Sequence, residues 1–478
     1  MSKPGIDTDV LQSFNYKQEL QRSLKFFSSF AVAFSFISIT TGIFSSYSLA
    51  LGAAGPAGIW TWPFVMVGHL LVALIFADLS SRIPLSGYVY QWVSRLTNRG
   101  FGWFTGWAAL CYLIIVVPTV DYGVAPIFLD LFGIKNTPSV LTTVVIITLV
   151  IQALLNIFGV RLATIINNSA VYTEVIGFIG IILILGVVLF IKGADFSLLT
   201  YTAHKVGSNG SYFTAFVLAV VMGSYTLVGF EAAANLAEET VDARKTVPKA
   251  IVYSMALAGI IGLIFLIIIT AGIKDINGIM ASASPISDIL QSRLGTAVAD
   301  FFLALVIISI FACGLIIMAS ASRLIYALSR DNVFFASNVF KKVDQKHNVP
   351  YNAIILVTLL GIIAVFYFGK LSLLIGTSAA LPAIIYLLTV VAYATKMKSL
   401  PDSDGFKLGK WRLPVTILAI IWLVFEVGIL TLPKDFLPTT KVIVYLFLAG
   451  IVIYWGLFRS RIQKGTIGIH IDNNDLKL

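Results

Sequence analysis

The chain has 478 residues, of which 58% are hydrophobic and only 12% charged, with a mean hydropathy of +0.93. A soluble domain carries about twice that share of charge, so the sequence reads as a polytopic membrane protein without a separate soluble domain. The formal net charge of +10 raises nucleic acid as a partner, an option that the placement of those charges argues against below.

In chain order, residues 1–28 are polar and carry no signal-peptide cleavage pattern, so the first apolar run is expected to stay in the mature protein. Runs of about 20 apolar residues then predict twelve spans, at 29–54, 57–80, 101–125, 139–158, 165–191, 212–236, 249–273, 299–327, 352–369, 372–395, 413–432 and 439–458. The organisation that follows is a cytoplasmic segment (1–28), a transport core of ten helices (29–395), helices 11 and 12 (396–458) and a cytoplasmic tail (459–478).

Span 1 is interrupted by Ser38-Ile39-Thr40-Thr41-Gly42-Ile43. Span 6 is interrupted in the corresponding place by Thr226-Leu227-Val228-Gly229-Phe230-Glu231. Irregular backbone at membrane depth is tolerated only where it lines a protein cavity or water, and a matched pair of such spans points to a transporter's solute site. A break leaves N–H groups free at one half-helix and C=O groups at the other; the first suits a carboxylate and the second an amine. The hydroxyls of Thr40 and Thr41 and the Gly42 N–H are the expected carboxylate partners, and the Ser38 and Ile39 carbonyls the expected amine partners. In span 6, Val228 and Gly229 offer backbone, and Tyr225 and Phe230 aromatic walls. The competing reading is that threonine and glycine here only let helices approach closely.

A charge at the bilayer centre costs about 3 kcal/mol or more, so intramembrane carboxylates call for a role. Glu174, midway along span 5 below Asn167-Asn168, is the first candidate for a protonatable coupling residue, against a packing role. Glu231, just after the second break, closes the site, protonates, attracts a cation or ties down the unwound backbone. Glu426 in span 11 is read as a packing or oligomer residue, Asp78 and Asp300 as interfacial, and Asp121 is left open. His69 in span 2 is expected to be a hydrogen-bonded packing residue, with a proton shuttle as the alternative. Cys111 and Cys313 lie in apolar runs and read as buried thiols. The loop Glu238–Ala250 is expected to be solvated, with Pro248 in the first turn of span 7, and the segment 274–298 to form a short helix over an entrance, starting near Pro285.

Placing the N-terminus inside puts 25 of the 33 basic residues on cytoplasmic loops and ends, Lys3, Arg161, Lys346 and Lys477 among them, and 8 outside. An odd number of spans would scramble this asymmetry. The positive charge is therefore a topology signal, and a nucleic-acid partner is not expected. With twelve spans, spans 1 and 6 run in opposite directions five helices apart, which predicts two inverted five-helix repeats followed by two extra helices.

Several motifs carry a more specific resemblance. The lead-in Tyr16-Lys17-Gln18-Glu19-Leu20-Gln21-Arg22-Ser23-Leu24, the first break, Arg82-Ile83-Pro84-Leu85-Ser86-Gly87-Tyr88-Val89-Tyr90-Gln91-Trp92, Gly229-Phe230-Glu231 with Asn235-Leu236-Ala237-Glu238-Glu239-Thr240, Val247-Pro248-Lys249-Ala250-Ile251, and Arg323-Leu324-Ile325-Tyr326-Ala327-Leu328-Ser329-Arg330-Asp331 are spread over nearly the whole chain. Together they resemble the amino acid–polyamine–organocation superfamily, and within it the amino acid/choline transporter branch that includes GABA permeases. Departures are Ile39-Thr40 in place of a usual Pro-Val, Ser86 in place of alanine and Tyr88 in place of glycine.

The resemblance implies an all-α, twelve-helix fold of the leucine-transporter type. It implies a substrate carboxylate at Thr41 and Gly42, an amine at carbonyls near Ser38 and Val228, and Tyr225 as an aromatic wall. Several relatives carry a lysine in helix 5 that stands in for a sodium ion; the matching position here is Glu174, where a cationic stand-in does not operate. The expected function is secondary active transport of an amino acid or GABA-like amine by alternating access in a cell membrane, coupled to a proton gradient with sodium left open. The alternatives are choline, ethanolamine or polyamine uptake, or amino-acid exchange. A membrane sensor would be expected to carry an appended signalling domain, and a membrane enzyme would need a nucleophile–base or metal constellation; neither is visible, and no organic cofactor, metal site or catalytic residue is predicted. The partners expected are the solute and the lipid bilayer, with the oligomeric state unspecified.

Overall fold

A computed structural model describes residues 11–469 apart from 13, 15, 21, 159, 208–209, 283, 345–346, 369, 399 and 401, and apart from the side chains of 160–164 and 167. Lys3, Lys346, Lys477 and the side chains of Arg161 and Asn167 lie outside the described residues.

The described chain is all-helical. Eleven helices are long and apolar enough to cross a bilayer, and the predicted sixth span is present in pieces. Span 1 comprises α1 (Phe26–Ile37) and α2 (Ile39–Ala54), span 2 is α3 (Thr61–Arg82), and span 3 is α5 (Arg99–Leu131). Spans 4 and 5 are α6 (Pro138–Phe158) and α7 (Val160–Lys192). Span 6 is divided into α8 (Tyr212–Leu218), α9 (Val220–Thr226) and α10 (Ala232–Asn235), and span 7 is α11 (Ala243–Ala271). Spans 8 to 12 contain α14 (Thr296–Arg330), α16 (Tyr351–Phe368), α17 (Leu371–Lys396), α18 (Arg412–Thr431) and α19 (Leu437–Ile453). At about 1.5 Å per residue, α5 with its 33 residues is roughly 50 Å long and outreaches the hydrocarbon core.

The spans divide by burial. The apolar windows of spans 1, 3 and 10 are 78%, 89% and 78% buried, whereas those of spans 4, 5 and 12 are 28%, 33% and 22% buried. The first set forms the centre. The second turns large apolar side chains such as Phe190, Ile191 and Tyr445 outward, as lipid-facing helices do.

Spans 1 and 6 pair antiparallel. Leu24, before α1, bridges to Thr240, after α10. At the opposite end, the Tyr212 hydroxyl before the span 6 break donates to the carbonyl of Ala54, which ends α2, at 3.0 Å. Both described chain ends lie on one face: Tyr16 donates to Asp331, and the Gly468 N–H donates to the Asp331 carbonyl.

Several expectations need correction. Helix α4 (Tyr88–Leu96) follows span 2 and is buried along its whole length, a helix that no apolar run predicts. Helix α11 starts at Ala243, so Pro248 sits inside it rather than in its first turn. Proline has no N–H to give the Arg244 carbonyl, and Gly405 packs against that carbonyl so closely that a side chain there would collide with it. The loop after span 6 is solvated only in part: Glu238 and Thr240 are fully buried, whereas Asp242 and Lys245 are about half exposed. Asp78 lies near the end of α3 and is buried; it receives Arg82, the Tyr393 hydroxyl at 2.6 Å and the Leu408 N–H. Asp300 is half-buried near the start of α14. The segment after span 7 holds two short helices, α12 (Ile276–Ala281) and α13 (Pro285–Leu294), with Pro285 opening the second. Cys111 and Cys313 are free, buried thiols.

Candidate functional site

The first break is narrower than its six-residue motif. Ser38 alone leaves the helix, at φ 36° and ψ 86°, and caps α2 by accepting the Thr41 N–H on Oγ at 3.2 Å. Thr40, Thr41 and Gly42 already belong to α2, and the Gly42 N–H donates to the Ser38 carbonyl at 3.0 Å. The donors expected to hold a carboxylate are thus engaged locally in this conformation.

The exception is the first turn of α2, where a carboxylate is present. Glu174 of α7 accepts the Thr40 N–H at 3.1 Å and the Thr40 hydroxyl at 2.9 Å. The Ser309 hydroxyl of α14 lies 3.5 Å from that of Thr40. A carboxylate at a helix N-terminus faces the positive end of the helix dipole, so the protein's own Glu174 occupies the most anion-friendly position of span 1.

The second break is wider. Helix α9 ends at Thr226, and α10 resumes at Ala232. Gly229 adopts φ 91°, a left-handed conformation open to glycine. Its N–H donates to the Tyr386 hydroxyl at 3.2 Å, and that hydroxyl donates to Glu231 at 2.7 Å. Glu231 therefore fastens the unwound backbone to span 10 through Tyr386. The Leu227 carbonyl is held by His69 Nδ1 at 2.7 Å.

The breaks also touch each other. A side chain on Gly42 would overlap Thr226, and one on Gly229 would overlap the Phe36 ring. Each glycine is required by close packing of one broken span on the other, so close approach accounts for the glycines themselves.

Between the breaks lies a cavity of about 10 Å³, room for about one water molecule. It is lined by Phe36, Ile37, Thr41 and Gly42 of span 1, Tyr225 and Val228 of span 6, Tyr112, Val116 and Val120 of span 3, and Cys313 and Ile317 of span 8. The hydroxyls of Tyr112 and Tyr225 are buried without a protein partner. Among the predicted site residues, Thr41, Gly42, Tyr225 and Val228 line this space. Ser38, Ile39, Thr40, Gly229, Phe230 and Glu231 do not; Phe230 packs instead against Phe76, Tyr386 and His69. The span 3 and span 8 contributors lay beyond the sequence reading, because the rotation of a long apolar helix carries no local motif. Asp121, also in span 3, receives the Gln152 amide at 2.9 Å on one oxygen. No cluster of metal-ligating side chains occurs among the described residues.

The face carrying the chain ends is closed by polar contacts. Arg330 pairs with Glu238 through two bonds of 2.9 and 3.1 Å, and Arg323 pairs with Glu239. Asp331 receives the hydroxyls of Tyr16 and Tyr90 at 2.9 and 2.8 Å. Burial pushes the Tyr16 hydroxyl up to about 12, so it remains a donor across the physiological range. The Ser86 N–H donates to Glu238, and the Gly87 N–H to Asn235. Toward the other face, a second cavity of about 70 Å³ is lined by Ser45, Ser48, Gly123, Ser287 and neighbours. The central cavity is therefore sealed more heavily on the side of the chain ends.

A polytopic helical bundle with two broken antiparallel helices around a closed central cavity has the architecture of a membrane transporter. Residues 24–458 match the family model described as amino acid permease, and the chain belongs to that family. It is 28% identical to the amino-acid permease BAT1 of Arabidopsis thaliana, over 94% of each chain. It is 24% identical to a putative polyamine transporter of Candida albicans, over 95% of this chain and 88% of that one. With the GABA-specific permease of Saccharomyces cerevisiae it shares 28% identity, over 74% of this chain and 65% of the other.

Proposed function

We propose that the protein moves an amino acid or a GABA-like amine across a cell membrane by alternating access, with both chain ends cytoplasmic and proton movement through Glu174. The observation that carries the reading is the central cavity, bounded by both helix breaks and holding two unpartnered tyrosine hydroxyls. Relatives named for amino acids, GABA and polyamines support an amine-bearing solute.

In this mechanism the solute enters between spans 1, 3, 6 and 8 and takes up the Tyr112 and Tyr225 hydroxyls. Its carboxylate reaches the start of α2 near Thr41, and its amine meets carbonyls at the end of α1 and near Val228. Glu174 is a carboxylate while Thr40 donates to it twice. When α1 and α2 rearrange and those donors leave, a buried carboxylate without partners is costly, and Glu174 takes a proton. Solute movement and proton binding are thereby linked through Thr40.

The test is uptake into proteoliposomes holding the full chain, with amino acids, GABA, choline and polyamines, with and without a proton gradient. Saturable, gradient-driven accumulation of an amino acid or GABA is expected, and Glu174→Gln is expected to abolish accumulation while sparing exchange. No saturable transport of any of these solutes overturns the reading; full pH-dependent accumulation by the variant overturns the role of Glu174.

A further inference from the structure

Spans 2, 6 and 11 meet at a histidine–glutamate pair that does not line the cavity. His69 and Glu426 are 1% and 0% exposed. His69 Nδ1 lies 2.7 Å from the Leu227 carbonyl, and Nε2 lies 3.0 Å from both Glu426 oxygens. The Ser224 hydroxyl of α9 donates to the same carboxylate. Glu426 therefore faces inward, and the oligomer role considered from the sequence does not hold.

The valences fix the protons. A carbonyl only accepts, so the proton on Nδ1 is spent on Leu227. The contact between Nε2 and the carboxylate then requires one further proton; with both Glu426 oxygens 3.0 Å from Nε2 and the Ser224 hydroxyl also donating to the carboxylate, that proton is assigned to Nε2. We propose that this second proton binds and leaves during the transport cycle, and that His69–Glu426 is a proton site fastening the unwound part of span 6 to spans 2 and 11.

Loss of that proton leaves the Nε2 lone pair facing a buried carboxylate, a repulsive arrangement in a medium of low polarity. Either Glu426 withdraws, or the Nδ1 proton moves to Nε2 and the Leu227 carbonyl is given up. Both outcomes loosen the break. A buried ionic pair is weak as a stabilising device compared with apolar packing; its use here lies in gripping a backbone carbonyl that must move.

The surroundings are defined. From the far side of the break, Glu231 accepts the Tyr386 hydroxyl, and Tyr386 of span 10 packs edge-on against His69 at 6.0 Å between ring centroids. Trp422 of span 11 packs edge-on at 6.3 Å. Span 7 contributes apolar packing to span 2, with Gly259 against Met66 and Gly262 against Trp62. The proposal rests on the transport reading only for its place in a cycle.

Trp422 gives a direct readout, since an imidazolium quenches a neighbouring indole. Fluorescence of the full chain in nanodiscs is titrated from pH about 5 to 8, the range in which histidine charge usually changes. A pH-dependent component is expected in the native protein and absent in Trp422→Phe and in Glu426→Gln. In proteoliposomes, Glu426→Gln is expected to flatten the pH profile of the maximal rate while KM stays within about two-fold. A native chain without that component, or a Glu426→Gln chain that keeps it, overturns the proposal. Should Glu426→Gln fail to fold, the native and Trp422→Phe titrations, with His69→Gln as the second variant, decide the same question. If no solute is transported, the fluorescence titration still reports the proton site, so the two readings fail separately.

Discussion

At the scale of single residues, the two breaks are legible in the sequence and the side chains that meet them are not. Thr40 and Glu174 are 134 positions apart and share two hydrogen bonds. The sequence placed both near membrane depth, but only the packing of α7 on span 1 joins them. Tyr386 was invisible because nothing in Leu371–Lys396 distinguishes the tyrosine that meets Gly229 from one that faces lipid. The glycines are the clearest residue-level case. Gly229→Ala meets a left-handed φ, worth about 1–2 kcal/mol, and a collision with Phe36. A lower melting temperature in detergent and reduced uptake are expected; an unchanged melting curve would show that the break relaxes freely.

At the scale of elements, hydrophobic runs located the long helices well, because about 20 apolar residues in a row leave little choice in a bilayer. Their ends were less legible. Helices α5 (Arg99–Leu131) and α14 (Thr296–Arg330) extend past both ends of the predicted spans, because a helix does not stop where its apolar run does. Helix α4 escaped because nine residues make no apolar run long enough to register. That short helix is nonetheless part of the seal: its Tyr90 and Gln91 hold Asp331, and the turn before it binds Glu238. Removing the charge of Glu238 leaves the Arg330 guanidinium short of its partner, a loss on the order of 3–5 kcal/mol for a buried pair. Glu238→Gln is expected to raise the rate at which a small thiol reagent, added from the side of the chain ends, modifies Cys313 in the cavity. An unaltered rate would mean that the seal lies elsewhere.

At the scale of the whole molecule, the family motifs quoted from the sequence prove to be neighbours. The lead-in at Tyr16, the turn after span 2, the stretch after span 6 and the end of span 8 converge on one face as a single closed network. Composition and charge made the membrane class legible, and the matched breaks made the centre legible. What the sequence withheld was the state of the molecule, because closure depends on which side chains meet across hundreds of residues.

The pairing of Leu24 with Thr240 has a mechanical corollary. The Leu24 carbonyl receives the Val241 N–H at 2.9 Å, and Ser23 and Leu24 both donate to the Glu239 carbonyl at 3.0 Å. The near halves of spans 1 and 6 are thereby stitched together by backbone, and under the proposed alternating access they are expected to swing as one lever, not as two gates timed separately. A covalent cross-link formed after Leu24→Cys and Thr240→Cys should therefore leave uptake running, whereas a cross-link that arrests it would show that the halves part company during each turnover.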